Sequence, residues 1–386
     1  MKIKRLKFLF AVVFSRFYLI YFNIFKKNTF EVLILSKPHD IVLYRSNYLA
    51  LELRKRNYNV KIIMTDKKNL FHLILLGKPK LYLSTKNIGT EAKRSYSRGI
   101  QMYNPKVVLQ FDDMWNLSSF IKKYSNAKLV NIAHGVTDST KYFNVIDYDY
   151  YFLYGQSSID NLARNNKIEP GATTLVKTGP IFAEFNPSDS LSLYLRKYLL
   201  INDCWIKKVV YSSAFTKDLD VQELLVNTHK IIIDFAKKNT DILILVSLHP
   251  LEKELDFWGR YSYIKNIRIL PSTVSKNEIA EVCDIHITRQ SNTIIDYGLI
   301  GLDTLIIRDS DYGESYLNLS KYFSISNNSL ELEETLKNYD IKSSKLDSFL
   351  KYHCEYNDLK SVNRVTDLLE SLINGNKLEG IFFEVK

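Results

Sequence analysis

The residues of this chain whose types and spacing best suit chemistry are two histidine turns, more than a hundred residues apart. The first is His134-Gly135, in LVNIAHGVTDST, and the second is His249-Pro250, in DILILVSLHPLEK. Each follows an apolar, β-branched run that is typical of a buried strand, so each histidine is expected at a strand's carboxyl end. In open α/β sheets, ligands bind at that edge. The pattern therefore predicts two such edges, one from each half of the chain, that face each other across a cleft.

The first turn offers a general base. Histidine suits a hydroxyl substrate because the ordinary pKa of imidazole lies near neutral pH. Gly135 has no side chain and lets a substrate approach the backbone closely, and Asp138 is near enough in sequence to orient the ring of His134. The alternative is a buried histidine that bonds to a loop carbonyl.

The second turn offers a phosphate contact. Pro250 fixes the turn and removes a backbone donor, so the ring of His249 is expected to project at the sheet edge. There it can donate a hydrogen bond to a phosphate oxygen or stabilise the negative charge of a leaving nucleotide. The alternative is a structural turn that carries a surface histidine.

A third segment, CDIHITRQSNTIIDYGLIG (283–301), has a strand, a polar turn and a helix in order. Ser291 or Asn292 is expected to cap the helix. The N–H groups and positive dipole of its first turn favour an anion, and Arg289 can add a bidentate contact to a phosphate. Asp296, one turn inside the helix, is a candidate ribose or interdomain contact. The alternative is a helix start that caps a core helix and binds nothing.

The strand KKVVYSS (207–213) ends in a further pair of hydroxyls, Ser212 and Ser213, at the first crossover of the second half. In a doubly wound sheet this crossover lies near the ligand, although an ordinary loop is the alternative. The candidate catalytic residues are therefore His134, His249 and Asp138. The candidate donor- and phosphate-binding residues are Gly135, Ser212, Ser213, Pro250, Arg289, Gln290, Ser291, Asn292, Thr293 and Asp296.

The elements that must position these residues alternate between strand and helix in two series. Strands are predicted at 29–37, 59–65, 79–84, 106–111, 128–132, 149–154 and 174–178, and then at 207–213, 241–248, 267–270, 284–288 and 303–307. Helices are predicted at 48–58, 219–239, 275–282 and 293–300. Such alternation indicates parallel sheets in an α/β fold. We expect two doubly wound, Rossmann-like domains at 29–190 and 200–330, an interdomain linker within 184–204, and a helical segment over 331–386.

Composition and charge also predict binding to a membrane surface and a cytoplasmic location. The net charge is +11, and the first 28 residues carry seven lysines and arginines among aromatic and aliphatic residues but no acid. Because Arg16 interrupts the apolar run, 1–28 is expected to be a basic amphipathic helix on an anionic membrane surface, not a transmembrane helix. A helix packed on the body of the protein is the alternative. Three scattered cysteines without CxxC spacing favour a reducing cytoplasm.

Several classes of function lack their motifs. The pair Asp112-Asp113 follows a strand but has no further ligands in sequence, so no metal site is predicted. No RNA-binding or zinc pattern accompanies the basic charge, so nucleic acid is not an expected partner. Neither a Walker GxxxxGK[ST] nor a GxGxxG sequence is present, which argues against an ATPase and a dehydrogenase.

At these motifs the chain resembles the CDP-glycerol glycerophosphotransferase family of teichoic-acid and capsule polymer synthesis. The resemblance rests on His134-Gly135, TGPIFAE (178–184), KKVVYSSAFTKD (207–218), His249-Pro250 and TRQSNTIID (288–296), whose order and spacing match over about residues 125–320. It implies a GT-B fold, no cofactor and no metal, and inverting transfer from a cytidine-diphosphate alcohol. It also implies a peripheral location at the cytoplasmic face of the bacterial membrane and a glycan or polyol-phosphate acceptor, lipid-linked.

By position, the resemblance makes His134 the catalytic base, His249 the diphosphate-binding histidine, and Ser291 a serine beside the donor phosphates. The chain departs from the family's T-D-Y-S-S motif at Arg289-Gln290 and at Asn292, and from its G-x-P-R-x-D motif at 182–184. These departures surround the donor site. They leave open a CMP- or UDP-sugar glycosyltransferase of the same fold, a sugar-nucleotide epimerase of similar form, and a non-catalytic assembly scaffold.

Overall fold

The structure is a computed structural model. It describes residues 30–36, 40–64, 97, 99–101, 103–111, 118–136, 148–164, 173–181, 204–213, 219–249, 255–271, 274–308, 317–339 and 345–378. The predicted helix at 1–28, the predicted strand at 79–84 and the linker residues 184–203 lie outside these ranges. No helix in the described ranges combines the length and the apolar character that crossing a membrane requires.

The strands and helices follow one another in two series, as the alternation predicts. The first series consists of β1 Val32–Ser36, α1 Asp40–Lys55, β2 Val60–Met64, β3 Val107–Gln110, α2 Ser118–Tyr124, β4 Lys128–Ile132, β5 Tyr150–Leu153, α3 Gln156–Arg164 and β6 Thr174–Lys177. The second consists of β7 Lys207–Ser212, α4 Leu219–Lys238, β8 Ile242–Ser247, α5 Leu255–Gly259, β9 Ile267–Ile269, α6 Lys276–Ala280, β10 Ile285–Thr288, α7 Thr293–Leu299, β11 Thr304–Ile307 and β12 Ile325–Ser326. Within the described residues, three helices follow: α8 Ser329–Lys337, α9 Leu346–His353 and α10 Ser361–Ile373.

The chain divides into two compact units. The first unit comprises Met1–Tyr154, Ser158–Ile181 and Lys360–Lys386, and the second comprises Gly155–Ser157 and Phe182–Leu359. The C-terminal segment, which the sequence analysis treats as one part, is therefore divided: α8 and α9 belong to the second unit and α10 to the first. The physical reason is the apolar face of α10, whose residues are buried within the first unit: Val362, Val365, Leu369, Leu372 and Ile373.

Polar contacts join α10 to the turn between α1 and β2. The Arg56 guanidinium bonds the Asp367 carboxylate at 2.5 Å and the Glu370 carboxylate at 2.8 Å, and the Tyr58 hydroxyl donates to Glu370 at 2.8 Å. Helix α10 ends at Ile373, and Gly375, two residues later, has a φ of 84°, the left-handed conformation common in a glycine that follows a helix C-terminus.

The first unit contains a six-stranded, wholly parallel sheet in the order β2-β1-β3-β4-β5-β6. All residues of β1, β3 and β5 are buried. Strands covered on both faces must be apolar along their whole length, which explains why the sequence shows them as continuous apolar runs.

The second unit contains another six-stranded parallel sheet, in the order β12-β11-β10-β7-β8-β9. One apolar layer packs on one face, around Ile285 and Ile287, and a second packs on the other, around Val210 and Tyr297. The strand order reverses between β7 and β10, because the chain builds outward from β7 to β9 and then returns to start β10 on the other side. In doubly wound sheets such a switch point leaves a crevice outside the strands' carboxyl ends, where ligands bind.

Candidate functional site

The carboxyl edge of the second sheet gathers the three motifs that the sequence singles out in this half of the chain. Strands β10, β7 and β8 are neighbours, and their last residues pair in register: Thr288 with Ser212, and Ser212 with Ser247. The segments that follow these strands, which contain Arg289–Thr293, Ser213 and His249, therefore start side by side at the switch point. We call this set the switch-point edge.

A hydrogen bond joins two of these segments. The Ser213 hydroxyl accepts from the backbone N–H of His249 at 2.8 Å, and the Ser213 N–H donates to the Ser247 carbonyl at 3.0 Å. Ser212 and Ser213 are each 3% exposed, whereas His249 is half-buried. Ser213 thus fixes the backbone from which the His249 ring projects, while Pro250 lies outside the described residues.

The segment after β10 forms the other side of the switch-point edge. Of the two candidate caps of α7, Ser291 makes the bond: its hydroxyl accepts from the Thr293 N–H at 3.2 Å. Asn292 has helical backbone angles and makes no side-chain cap. Gln290, Ser291, Asn292 and Thr293 are all half-buried, so parts of these side chains reach the surface.

Arg289 and Asp296 lie deeper than the sequence analysis expects. Arg289 is 1% exposed, and its positive charge contributes, after burial, to the lowered pKa of His229. Asp296 is 7% exposed and forms an ion pair with Lys276 of α6. A donor phosphate would reach Arg289 only after neighbouring groups move, and Asp296 already has a cationic partner.

The sequence analysis misses a histidine within β10. His286 is fully buried, and its Nδ1 and Nε2 lie 2.9 Å from the Thr304 and Ser212 hydroxyls respectively. Burial lowers the pKa of His286 well below its ordinary value, and Lys276 adds to this effect. The available signal is a polar residue at the centre of an otherwise apolar strand, IHIT (285–288).

In the first unit, β4 positions the other candidate histidine. His134 is exposed two residues beyond the end of β4, between buried Ala133 and buried Gly135. The structure thus places His134 at the surface beside a glycine, and its role as a general base stays a prediction. Asp138 and the pair Asp112-Asp113 lie outside the described residues.

The described residues contain no group of three or more histidines, cysteines or acids placed to hold a metal ion. The three cysteines are not paired: Cys204 is exposed, and Cys283 and Cys354 are buried. The switch-point edge presents hydroxyls, an amide, an imidazole and backbone N–H groups, with the Arg289 guanidinium buried beneath them. Such groups can bind an anion by hydrogen bonds.

Sequence comparison finds no matching family model and no matching curated protein. The fold, in contrast, has clear relatives among solved structures. The wall teichoic acid polymerase TagF, solved with CDPG, shares 14% identity over 97% of this chain and 99% of its own, with a TM-score of 0.58. S. aureus MnaA in complex with UDP shares 12% identity over 91% of this chain and 100% of its own, with a TM-score of 0.62.

A further relative is the UDP-GlcNAc 2-epimerase of Neisseria meningitidis bound to UDP-GlcNAc. It shares 14% identity over 88% of this chain and 99% of its own, with a TM-score of 0.56. At such identities the likeness is one of fold. Together with the two parallel sheets, it shows that this chain has the two-domain α/β fold of the GT-B type.

Proposed function

We propose that this chain is a membrane-associated transferase of bacterial surface-polymer synthesis. It moves an alditol-phosphate or sugar group, with inversion, from a cytidine-nucleotide donor to an acceptor hydroxyl. The observation that carries the proposal is the switch-point edge, where Ser213 bonds the backbone of His249 and the segments after β8 and β10 flank the end of β7. The fold supports it, because TagF with CDPG and MnaA with UDP share it.

The second unit binds the donor in this proposal. The half-buried His249 ring and the N–H groups of the turn at 290–293 supply hydrogen bonds to the donor's phosphates. These bonds strengthen as the nucleotide leaves, because negative charge then grows on its phosphate oxygens. Arg289 adds positive charge beneath the edge without direct contact.

The first unit activates the acceptor. His134 removes the proton of the acceptor hydroxyl, and the oxygen attacks the donor at phosphorus or at the anomeric carbon. The bond between this atom and the nucleotide breaks with its electron pair on the nucleotide's phosphate oxygen, so CMP leaves from a CDP-alditol or a CMP-sugar. Inversion follows from a single in-line displacement.

The acceptor in this proposal is a glycan or polyol phosphate linked to a lipid of the cytoplasmic membrane face. The argument comes from the chain's first 28 residues, which contain seven cationic side chains, many apolar and aromatic ones and no acid. Such a segment is attracted to anionic lipid headgroups and inserts its apolar side chains among them. Binding of the purified protein to vesicles of anionic lipid, lost on deletion of residues 2–28, is the expected result.

The donor is tested by thermal stabilisation with CMP, CDP, UDP, GDP and ADP. A ligand that binds only the folded state raises its stability, so the acceptor need not be known. A preference for CDP supports alditol-phosphate transfer, and a preference for CMP supports a CMP-sugar donor. A preference for UDP or GDP contradicts the cytidine donor, and a UDP preference turns attention to sugar-nucleotide chemistry such as epimerisation. No shift with any nucleotide contradicts catalysis and supports a scaffold.

His134→Ala separates the two roles. The variant should lose turnover of the nucleotide donor while it keeps the donor's thermal shift, because His134 acts on the acceptor. His249→Ala should instead reduce the thermal shift. Unchanged turnover in His134→Ala would contradict the assignment of the base.

A further inference from the structure

His286 lies at the centre of a buried polar cluster beneath the switch-point edge. Its Nδ1 is 2.9 Å from the Thr304 hydroxyl of β11, and its Nε2 is 2.9 Å from the Ser212 hydroxyl of β7. The same Nε2 is 3.4 Å from the Thr293 hydroxyl at the start of α7. The ring stacks on Tyr297 of α7 with centroids 4.4 Å apart. One imidazole thus contacts β11, β7 and both the start and the middle of α7.

The imidazole is neutral at physiological pH. The side chain is fully buried, and burial lowers its pKa well below the ordinary value. A neutral imidazole has one N–H donor and one acceptor nitrogen, so the contacts decide which nitrogen carries the proton.

The contacts favour the proton on Nε2. Nδ1 faces one hydroxyl, that of Thr304, which can donate to it. Nε2 faces two hydroxyls, those of Ser212 and Thr293. One N–H can be shared between two oxygens, as a three-centre bond. Both hydroxyls then accept from the ring, and each can donate its own proton to another group. In the opposite tautomer, Ser212 would turn its proton inward to Nε2.

We propose that His286 is a positioning residue whose Nε2 carries the proton because the Thr304 hydroxyl donates to Nδ1. The Nε2–H group then holds the oxygens of Ser212 and Thr293, and the Thr293 hydroxyl donates its proton to an anionic phosphate oxygen at the switch-point edge. The proposal rests on the proposed function, because it requires that a phosphate group of the donor binds at this edge. A phosphate oxygen accepts hydrogen bonds and cannot donate them, so Thr293 must be the donor. Thr293 is half-buried and can reach a ligand, whereas Ser212, at 3% exposed, acts as the internal support.

The tautomer can be measured without any ligand. In protein labelled with ¹⁵N-histidine, the two ring nitrogens of a neutral histidine give distinct signals for the N–H and the bare nitrogen, and His286→Gln identifies the signals of His286 among the chain's seven histidines. We expect the N–H signal at Nε2. Thr304→Val should alter the tautomer signals, and Thr304→Ser should restore them.

Thr288→Val is the matched control for this measurement. Thr288 is also fully buried, and its hydroxyl donates to the backbone carbonyl of Ser212 at 2.9 Å and not to the His286 ring. It should leave the tautomer unchanged. A proton on Nδ1 in the wild type, or an equal response to Thr288→Val and Thr304→Val, would overturn the proposal.

Calorimetric titration with CDP and with cytidine then tests the consequence for binding. His286→Met removes the hydrogen bonds of the ring to Thr304, Ser212 and Thr293 with a side chain of similar length. It should weaken CDP binding by about tenfold, which corresponds to the loss of about one hydrogen bond to a charged group. Cytidine, which has no phosphate, should bind within about twofold of wild type. His286→Gln retains an amide donor near the position of Nε2 and should recover most of the CDP affinity.

The two proposals fail in different ways. If wild type binds neither CDP nor another nucleotide, the proposed function fails, and the tautomer measurement still decides the role of Thr304. If wild type binds CDP but His286→Met and His286→Gln lose CDP and cytidine equally, His286 only maintains the fold and the positioning role is overturned. The unfolding midpoints of the variants show whether a loss of affinity comes from unfolded protein.

Discussion

Acidification should destabilise the second unit, because it holds histidines in their neutral form. Burial lowers the pKa of His229 from 6.5 to about 4, and Arg289 contributes to this. Burial also lowers the pKa of His353 from 6.5 to about 4, although a bond to the Leu317 carbonyl acts in the opposite direction. His286 shifts in the same direction. We expect the free energy of unfolding of this unit to fall as the pH falls from about 7.5 to about 5.

The sign and size of this change in the free energy of unfolding follow from the linkage between proton binding and folding. Below pH 6.5 the unfolded chain takes up protons at these histidines while the folded unit does not. The stabilisation that comes from the neutral histidines is therefore fully present above pH 6.5 and decreases as the pH falls toward 4. One pH unit changes the free energy by about 1.4 kcal/mol per histidine, so each contributes about 2 kcal/mol of destabilisation at about pH 5. His229 and His353 together give about 4 kcal/mol. Carboxylates with lowered pKa, such as Glu370, act below their ordinary pKa of 4.5 and outside this interval.

Urea unfolding at about pH 7.5 and about pH 5, followed by tryptophan fluorescence, to which the buried Trp258 contributes, measures the difference. His229→Gln and His353→Gln should each reduce the pH-dependent difference by about 2 kcal/mol, whatever their effect at neutral pH. Leu330→Ala, at an exposed position of the same unit, is the control and should leave this difference unchanged. A wild-type difference below about 1 kcal/mol, or an equal reduction in Leu330→Ala, would contradict the role of the buried histidines.

Three further predictions concern single side chains. Leu369→Ala, in the buried face of α10, should cost the first unit about 2–5 kcal/mol in urea unfolding, whereas Leu330→Ala at a 59% exposed position should cost little. Gly375→Ala should cost about 1–2 kcal/mol because of the φ of 84°, and Gly375→Asn should cost less, a ranking that thermal unfolding can check. Ser213→Ala, which leaves the His249 N–H without its acceptor, should weaken CDP binding while Ser213→Thr preserves it; equal affinity of Ser213→Ala and wild type in calorimetry would contradict the role of this bond.

Much of the fold can be predicted from the sequence because both faces of its strands are covered. β4 occupies the residues predicted for it, 128–132, and β7, β8, β10 and β11 lie within their predicted ranges. Strand order cannot be read in this way, since it depends on pairing between distant segments. The two-residue β12 is too short for a periodic signal, and the packing of α10 on the first unit depends on a face whose partner is far away in sequence.

The candidate site could be predicted only in outline. The three segments of the switch-point edge follow from the rule that ligands bind at the carboxyl ends of parallel strands. The burial of Arg289 does not follow from this rule, because a turn of polar residues suggests exposure. Strand alternation instead places Arg289 on the same face of the sheet as the buried Ile287. The sequence also does not identify His286 as a site residue, because its place within an apolar run suggests a core position. Its bonds to Ser212 and Thr304 depend on strand register.

Hydrogen exchange with and without saturating CDP tests most directly the claim that the switch-point edge binds the nucleotide donor. We expect slower exchange of backbone amides at 212–213, 248–249 and 290–295, with little change in β2 or β6 of the first unit. CDP-dependent protection elsewhere in the chain, with these three segments unchanged, would contradict it.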